Sequence, residues 1–174
     1  MFKRIGFLVL PAAVLLAVGG AGALSTSAAP KVSAFDEQAL KGAIQGDRFE
    51  IDGGAVATKQ SQNQKVKDLA ARLVKDHTKS LTAATKLAKK LGISVPKSPT
   101  FTQNWEIDQI RTLTGTAFDK AYTSLEIADH KQDIAEMNET AKKATDSRLR
   151  SNAKKELPTL KTHLKLAQQT ASGL

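Results

Sequence analysis

His77, His130 and His163 are the only histidines in this 174-residue chain, and each falls on the apolar stripe of a different amphipathic segment. The densest chemistry lies in one of these segments, Phe118 to His130, with the sequence FDKAYTSLEIADH. At about 100° per residue, Asp119, Tyr122, Glu126 and His130 share one helical face that continues in phase through Ile134, Met137 and Ala141. A stripe with apolar members faces a core. Burying carboxylates and imidazoles there costs several kcal/mol unless they are paired or hold a metal. Neutral imidazole with carboxylate is a common ligand set for zinc, iron, copper or manganese.

Partners for this stripe must come from other helices. Helical spacing over about Asp36 to Gln60 puts Leu40, Ala43, Ile44, Asp47, Ile51 and Gly54 on one face, with Glu50 at its edge. Gly53 and Gly54 there mark either a close helix approach or a local kink. From about Asn63 to Leu91, Val66, Leu69, Ala70, Leu73, His77, Leu81, Ala84, Ala88 and Leu91 keep helical spacing. Gly92 supplies the stop, and Pro96 and Pro99 impose an extended connection. A short amphipathic helix is expected over Trp105 to Leu113, with Trp105, Ile107, Ile110 and Leu113 available to cover one end of the fold.

The His130 helix is expected from about Thr116 to Ala144, and a last helix from about Asp146 to Ala171. The latter carries Leu149, Ala153, Leu157, Leu160, His163, Leu164, Ala167 and Ala171 on one face with Glu156 beside them, and Pro158 is expected to kink it. No strand pattern competes, so the expected class is all-α. Four long helices joined by short, longer and short connections describe a four-helix bundle with a short extra helix between the second and third.

Turns expected near Ser61 and Thr145 allow the heights to be counted. Glu50 and His77 lie 11 and 16 residues from the first turn, and His130 and His163 lie 15 and 18 from the second. At about 1.5 Å per residue, the members of each pair stand within roughly a turn of the same height, and His130, 15 residues after Gly115, matches His77, 15 before Gly92, so all three imidazoles are expected to meet at mid-height. The expected metal ligands are therefore His77, His130, His163 and Glu126, with Glu50 as a further ligand or a bridge. Asp119 and Tyr122 suit supporting roles, orienting an imidazole or donating to a carboxylate. Asp76, to the side of the His77 stripe, is expected as a supporting or solvated partner and not as a ligand.

The same residues also fit a purely structural network, in which the acids and Tyr122 hold the histidines and fix helix register with no ion. Catalysis finds little support. The chain has no cysteine, and no serine stands out against a His and Asp arrangement. No catalytic or organic-cofactor residue is assigned, and a binding protein is expected over an enzyme.

The segments FEIDGGAVA around Glu50, LVKDHTKS around Asp76 and His77, FDKAYTSLEIADH, and LPTLKTHLKLA around Pro158 and His163 together resemble the bacterial family DUF4142, over about Phe35 to Ala171. The resemblance implies an exported helical bundle of ferritin-like type and brings no established reaction. The chain departs from the diiron ferritin pattern, a Glu plus Glu-x-x-His in each half. Val74 and Ile127 stand three residues before His77 and His130, so a mononuclear, histidine-rich site fits better than a carboxylate-rich diiron centre.

Residues 1–23 carry export chemistry. Lys3 and Arg4 precede an apolar run from Ile5 to Val18, and Ala21-Gly22-Ala23 has the small-residue cleavage pattern of a signal peptide. Val32-Ser33-Ala34 is a second candidate cleavage site, and an uncleaved segment would act as an N-terminal membrane anchor. Residues 24–34 are expected as a flexible tether and 35–174 as the domain. Without cysteine there are no disulfides, so packing must stabilise the exported chain. The net charge of +9 falls by three, to +6, once Lys3, Arg4 and Lys31 leave with residues 1–34, which hold no acid. A basic exported protein is attracted to an anionic membrane surface or cell-wall polymer. Such contact would define the alternative reading, a non-catalytic interaction module with a basic surface and purely structural histidines. Nucleic acid is not an expected partner, given export and the low aromatic content, 5% of residues.

Overall fold

A computed structural model describes residues 32–174. The expected signal peptide and most of the tether lie outside the described residues. Five helices follow in order: α1 (Ala34–Gln60), α2 (Gln64–Leu91), α3 (Phe101–Arg111), α4 (Gly115–Lys143) and α5 (Ser147–Ala171). Among the described residues there is no strand, so the class is all-α. No helix of the described residues is long and apolar enough to cross a membrane.

The helix ends follow local chemistry. Ser33, Asn63 and Asp146 cap α1, α2 and α5 by accepting backbone N–H bonds in the first turn. Thr100 and Gln103 form a reciprocal capping box that starts α3 at Phe101, four residues before the expected Trp105. Gly92, at φ 70°, closes α2 in the left-handed conformation glycine adopts without strain. α5 continues as one helix through Pro158.

Two apolar clusters fix the direction of each helix. One joins Leu40 and Ile44 of α1, Ala84 and Ala88 of α2, Ile93, Ala144, and Leu149 of α5. The other joins Ala57 of α1, Val66, Leu69 and Leu73 of α2, Ile110 of α3, Phe118 and Tyr122 of α4, and Ala167 of α5. Hence α1 and α5 run from the first cluster to the second, and α2 and α4 run back. The turn at Ser61–Asn63 makes α1 and α2 an antiparallel hairpin, and the one at Ala144–Asp146 does the same for α4 and α5. The long connection containing α3 returns the chain between them. The hairpins lie side by side, α1 against α4 and α2 against α5.

Gly54 lets α1 and α2 approach closely. A Cβ there would stand 2.6 Å from Val74 Cγ2 and 3.2 Å from the Ala70 carbonyl oxygen. Ile107 and Ile110 of α3 are buried as expected, but Trp105 is not part of the cover: it is 55% exposed, with Phe101 beside it at 87%. The α3 cover comes from the face that carries Ile107 and Ile110, and Trp105 stands about 200° round the helix from Ile107.

Candidate metal centre

Between the two apolar clusters the helices present polar residues to one another. Glu50 stands between Ile44 and Ala57 on α1, His77 between Leu73 and Ala84 on α2, His130 past Tyr122 on α4, and His163 between Leu160 and Ala167 on α5. All four are buried, and Glu50, expected at the edge of its face, is completely so.

The three imidazoles converge. Ring centroids are 5.6 Å apart for His77 and His130 and 5.3 Å for each of the pairs His77–His163 and His130–His163. One nitrogen of each ring is anchored. His77 Nδ1 donates to Asp47 Oδ1 at 2.9 Å, His130 Nδ1 to the Glu126 backbone carbonyl at 2.9 Å, and His163 Nε2 to Asp76 Oδ2 at 3.0 Å. The other nitrogen of each ring, Nε2 of His77 and of His130 and Nδ1 of His163, is buried and has no hydrogen-bond partner. One ligand atom from each of the three histidines lies within 4.8 Å of the other two. Anchoring one nitrogen to an acceptor puts the proton there and leaves the lone pair on the other.

Electrostatics keep these rings neutral. Burial pulls His77 down to about 4, with Asp76 opposing, and pulls His130 down to about 3, with His77 adding to the effect. His163 is also lowered by burial, against its hydrogen bond to Asp76. Neutral imidazole is the form that binds a metal.

The acids divide into those that hold rings and those that crowd together. Asp76 hydrogen-bonds His163 and pairs with Arg72 at 2.5 Å, which keeps it below the usual carboxylate range despite partial burial. Burial pushes Asp47 up to about 8. Glu50 Oε2 is 3.9 Å from His77 Nε2, and its Oε1 is 3.6 Å from His130 Nδ1. Glu126 Oε2 stands 3.7 Å from His130 Nδ1. Burial, then the neighbouring Glu126 and Asp129, raise Glu50 well above the usual range, and burial raises Glu126 to about 8 and Asp129 to about 6.

Of the expected supports, Asp76 is brought to the histidines and Asp119 is not. Asp119 accepts a hydrogen bond from Ser61 Oγ at 2.5 Å and so ties α4 to the α1–α2 turn. The buried Tyr122 hydroxyl has no hydrogen-bond partner and sits in the field of Glu126 and Glu50, which adds to burial in raising it. Asp47, Asp129 and Asp133 were not expected in the site. Asp47 lies in phase with Ala43, Ile44 and Ile51 on its helix, and that signal could have marked it. Asp129 neighbours His130 in sequence, and no periodicity distinguishes it.

A narrow cleft between α1, α2, α4 and α5 reaches His77 and His163 and is lined by four acids, Asp47, Asp76, Asp133 and Glu156. The buried histidines and acids could hold a metal ion.

The crystal structure of a DUF305 fragment from Deinococcus radiodurans is similar to this chain, with a TM-score of 0.74 at 14% identity, over 83% of this chain and 100% of that one. At that identity the likeness concerns the fold. No curated protein matches the chain. A family model described as "Domain of unknown function (DUF4142)" matches residues 21–170, and the chain belongs to that family.

Proposed function

We propose that this protein is an exported, ferritin-like four-helix bundle that binds a transition-metal ion through His77, His130 and His163, with Glu50 completing the ligand set. The observation that carries the reading is the pattern of satisfied and unsatisfied nitrogens, three anchored and three buried without partners, on rings whose centroids lie 5.3–5.6 Å apart. A purely structural histidine network would be expected to satisfy both nitrogens of a buried ring, since an orphaned buried polar atom costs about 1–3 kcal/mol. Here three such orphans lie on three converging rings. Three imidazoles and one carboxylate suit zinc, copper, iron or manganese. The role that follows is metal handling in the cell envelope, or a redox or stress function built on that metal.

Export rests on residues 1–23, and the lack of cysteine agrees with a chain that does not depend on disulfides. The basic surface favours contact with an anionic membrane surface or cell-wall polymer. Arg48, Lys86, Lys89 and Lys90 line one exposed groove, and Lys86, Lys90, Arg148 and Lys155 another nearby. Sedimentation with anionic vesicles that is unchanged by salt would remove that electrostatic part.

Metal analysis of the chain purified without an affinity tag tests the central reading. The expected result is about one tightly held equivalent that His130→Ala abolishes. Content below about a tenth of an equivalent, with melting insensitive to added zinc, copper, iron or manganese, would overturn it.

A further inference from the structure

Beside the three imidazoles lies a second set of donors that the histidine site leaves unused. Glu50 comes from α1, and Glu126 and Asp129 come from α4. Both carboxylate oxygens of Glu50, Oε2 of Glu126 and Oδ2 of Asp129 are buried without hydrogen-bond partners. Glu50 and Glu126 are almost wholly shielded from solvent, at 0% and 1% exposure. Among the described residues, the ion pairs these two acids form are with histidines, and Asp129 forms none. One donor atom each of Glu50, Asp129 and His130 lies within 4.8 Å of the others. Because His130 Nδ1 already donates to the Glu126 carbonyl, the free donors on this side are all carboxylate oxygens.

Glu50 spans the two groups. Its Oε2 is 3.9 Å from the unpartnered His77 Nε2, while its Oε1 faces the opposite side of the His130 ring, 3.6 Å from Nδ1. Three buried carboxylates with no lysine or arginine against them need positive charge or shared protons. Oxygen-only donors select a harder cation than imidazole does.

We propose that Glu50 bridges two ions: the histidine-held transition metal on its Oε2 side, and on its Oε1 side a second divalent cation of the manganese, ferrous or magnesium class, held by Glu50 and Asp129 with Glu126 beside them. This rests on the reading of the three histidines as a metal site, and it makes the centre dinuclear and asymmetric, nitrogen-rich on one side and oxygen-only on the other.

The test uses the purified full chain, stripped with chelator, given one equivalent of Zn²⁺ and then titrated with Mn²⁺, with free Mn²⁺ read by electron paramagnetic resonance. One zinc and one manganese per chain are expected. Asp129→Asn and Glu126→Gln, both isosteric, should keep the zinc and weaken manganese binding at least tenfold. Replacing Zn²⁺ with Cu²⁺ should broaden the bound Mn²⁺ signal, because a shared carboxylate couples the two spins. Zinc bound with manganese left free, or manganese binding that both variants leave unchanged, overturns the second site while the histidine site stands. Failure to bind zinc, copper, iron or manganese at all overturns the histidine site and the second site with it.

Discussion

Asp47 Oδ1 and His77 Nδ1 lie 2.9 Å apart, one on α1 and one on α2, both buried. This contact crosses the first hairpin and leaves the lone pair of His77 on Nε2, the ring nitrogen without a partner. Asp47 acts on the site through the ring it orients. Removing such a partner commonly costs 10–100-fold in metal affinity, so Asp47→Ala should weaken zinc binding by about that factor. Asp47→Asn, which keeps an acceptor oxygen, should lose less. Competition against a chelator of known affinity reads both. Equal affinity in Asp47→Ala and the unaltered protein would show that His77 needs no such support.

A second carboxylate holds the fold at the far end from the α1–α2 turn. Asp36, in the first turn of α1, accepts hydrogen bonds from Thr145 N at 2.9 Å, Thr145 Oγ1 at 2.7 Å and Asp146 N at 2.8 Å. Burial works to raise Asp36, but these donors win and hold it below the usual carboxylate range. The sign follows: stability from Asp36 is present above the unfolded carboxylate value of about 3.9 and is lost as pH falls through the lower folded value. Asp36→Asn puts an amide against donors and should cost about 1–3 kcal/mol at neutral pH. Urea unfolding of the two proteins should show that difference shrinking in acid, and a pH-independent difference would contradict the assignment.

Adjacent glycines on α1 should respond in opposite ways. A Cβ on Gly54 collides with Val74, whose branched side chain is stiff, and with the Ala70 carbonyl. A Cβ on Gly53 meets nothing within 4 Å. Gly53→Ala should therefore stabilise by up to about 1 kcal/mol through helix propensity. Gly54→Ala should destabilise by about 1–3 kcal/mol through overpacking. Thermal melting of the two variants side by side checks the pair, and a shared sign would contradict the close α1–α2 approach.

The helices and the three histidines were legible because both obey periodicity. His77 and His163 sit on stripes so regular that their place in the core follows from spacing, and turns near Ser61 and Thr145 set their heights. The division of labour among the acids was not legible. Asp119 shares a face with Glu126, yet the α1–α2 turn brings Ser61 to it. Asp129 departs from that face by one residue and still joins Glu50, because α1 packs directly against α4. Periodicity gives the face of one helix, while the partner of an acid is set by interhelical packing, which no single segment encodes. Trp105 failed for another reason: it stands two residues before Ile107, about 200° round the helix, so it lies on the side of α3 away from the buried Ile107 and Ile110.

Three nitrogens decide whether this bundle is a metal site, and anomalous diffraction from crystals of the zinc-loaded protein tests them most directly. The expected result is one strong zinc peak about 2.0–2.1 Å from His77 Nε2, His130 Nε2 and His163 Nδ1 together, with Asp47, the Glu126 carbonyl and Asp76 still on the opposite nitrogens. Zinc found only at surface residues, with the three inward nitrogens bonded to one another or to carboxyl groups, would contradict it.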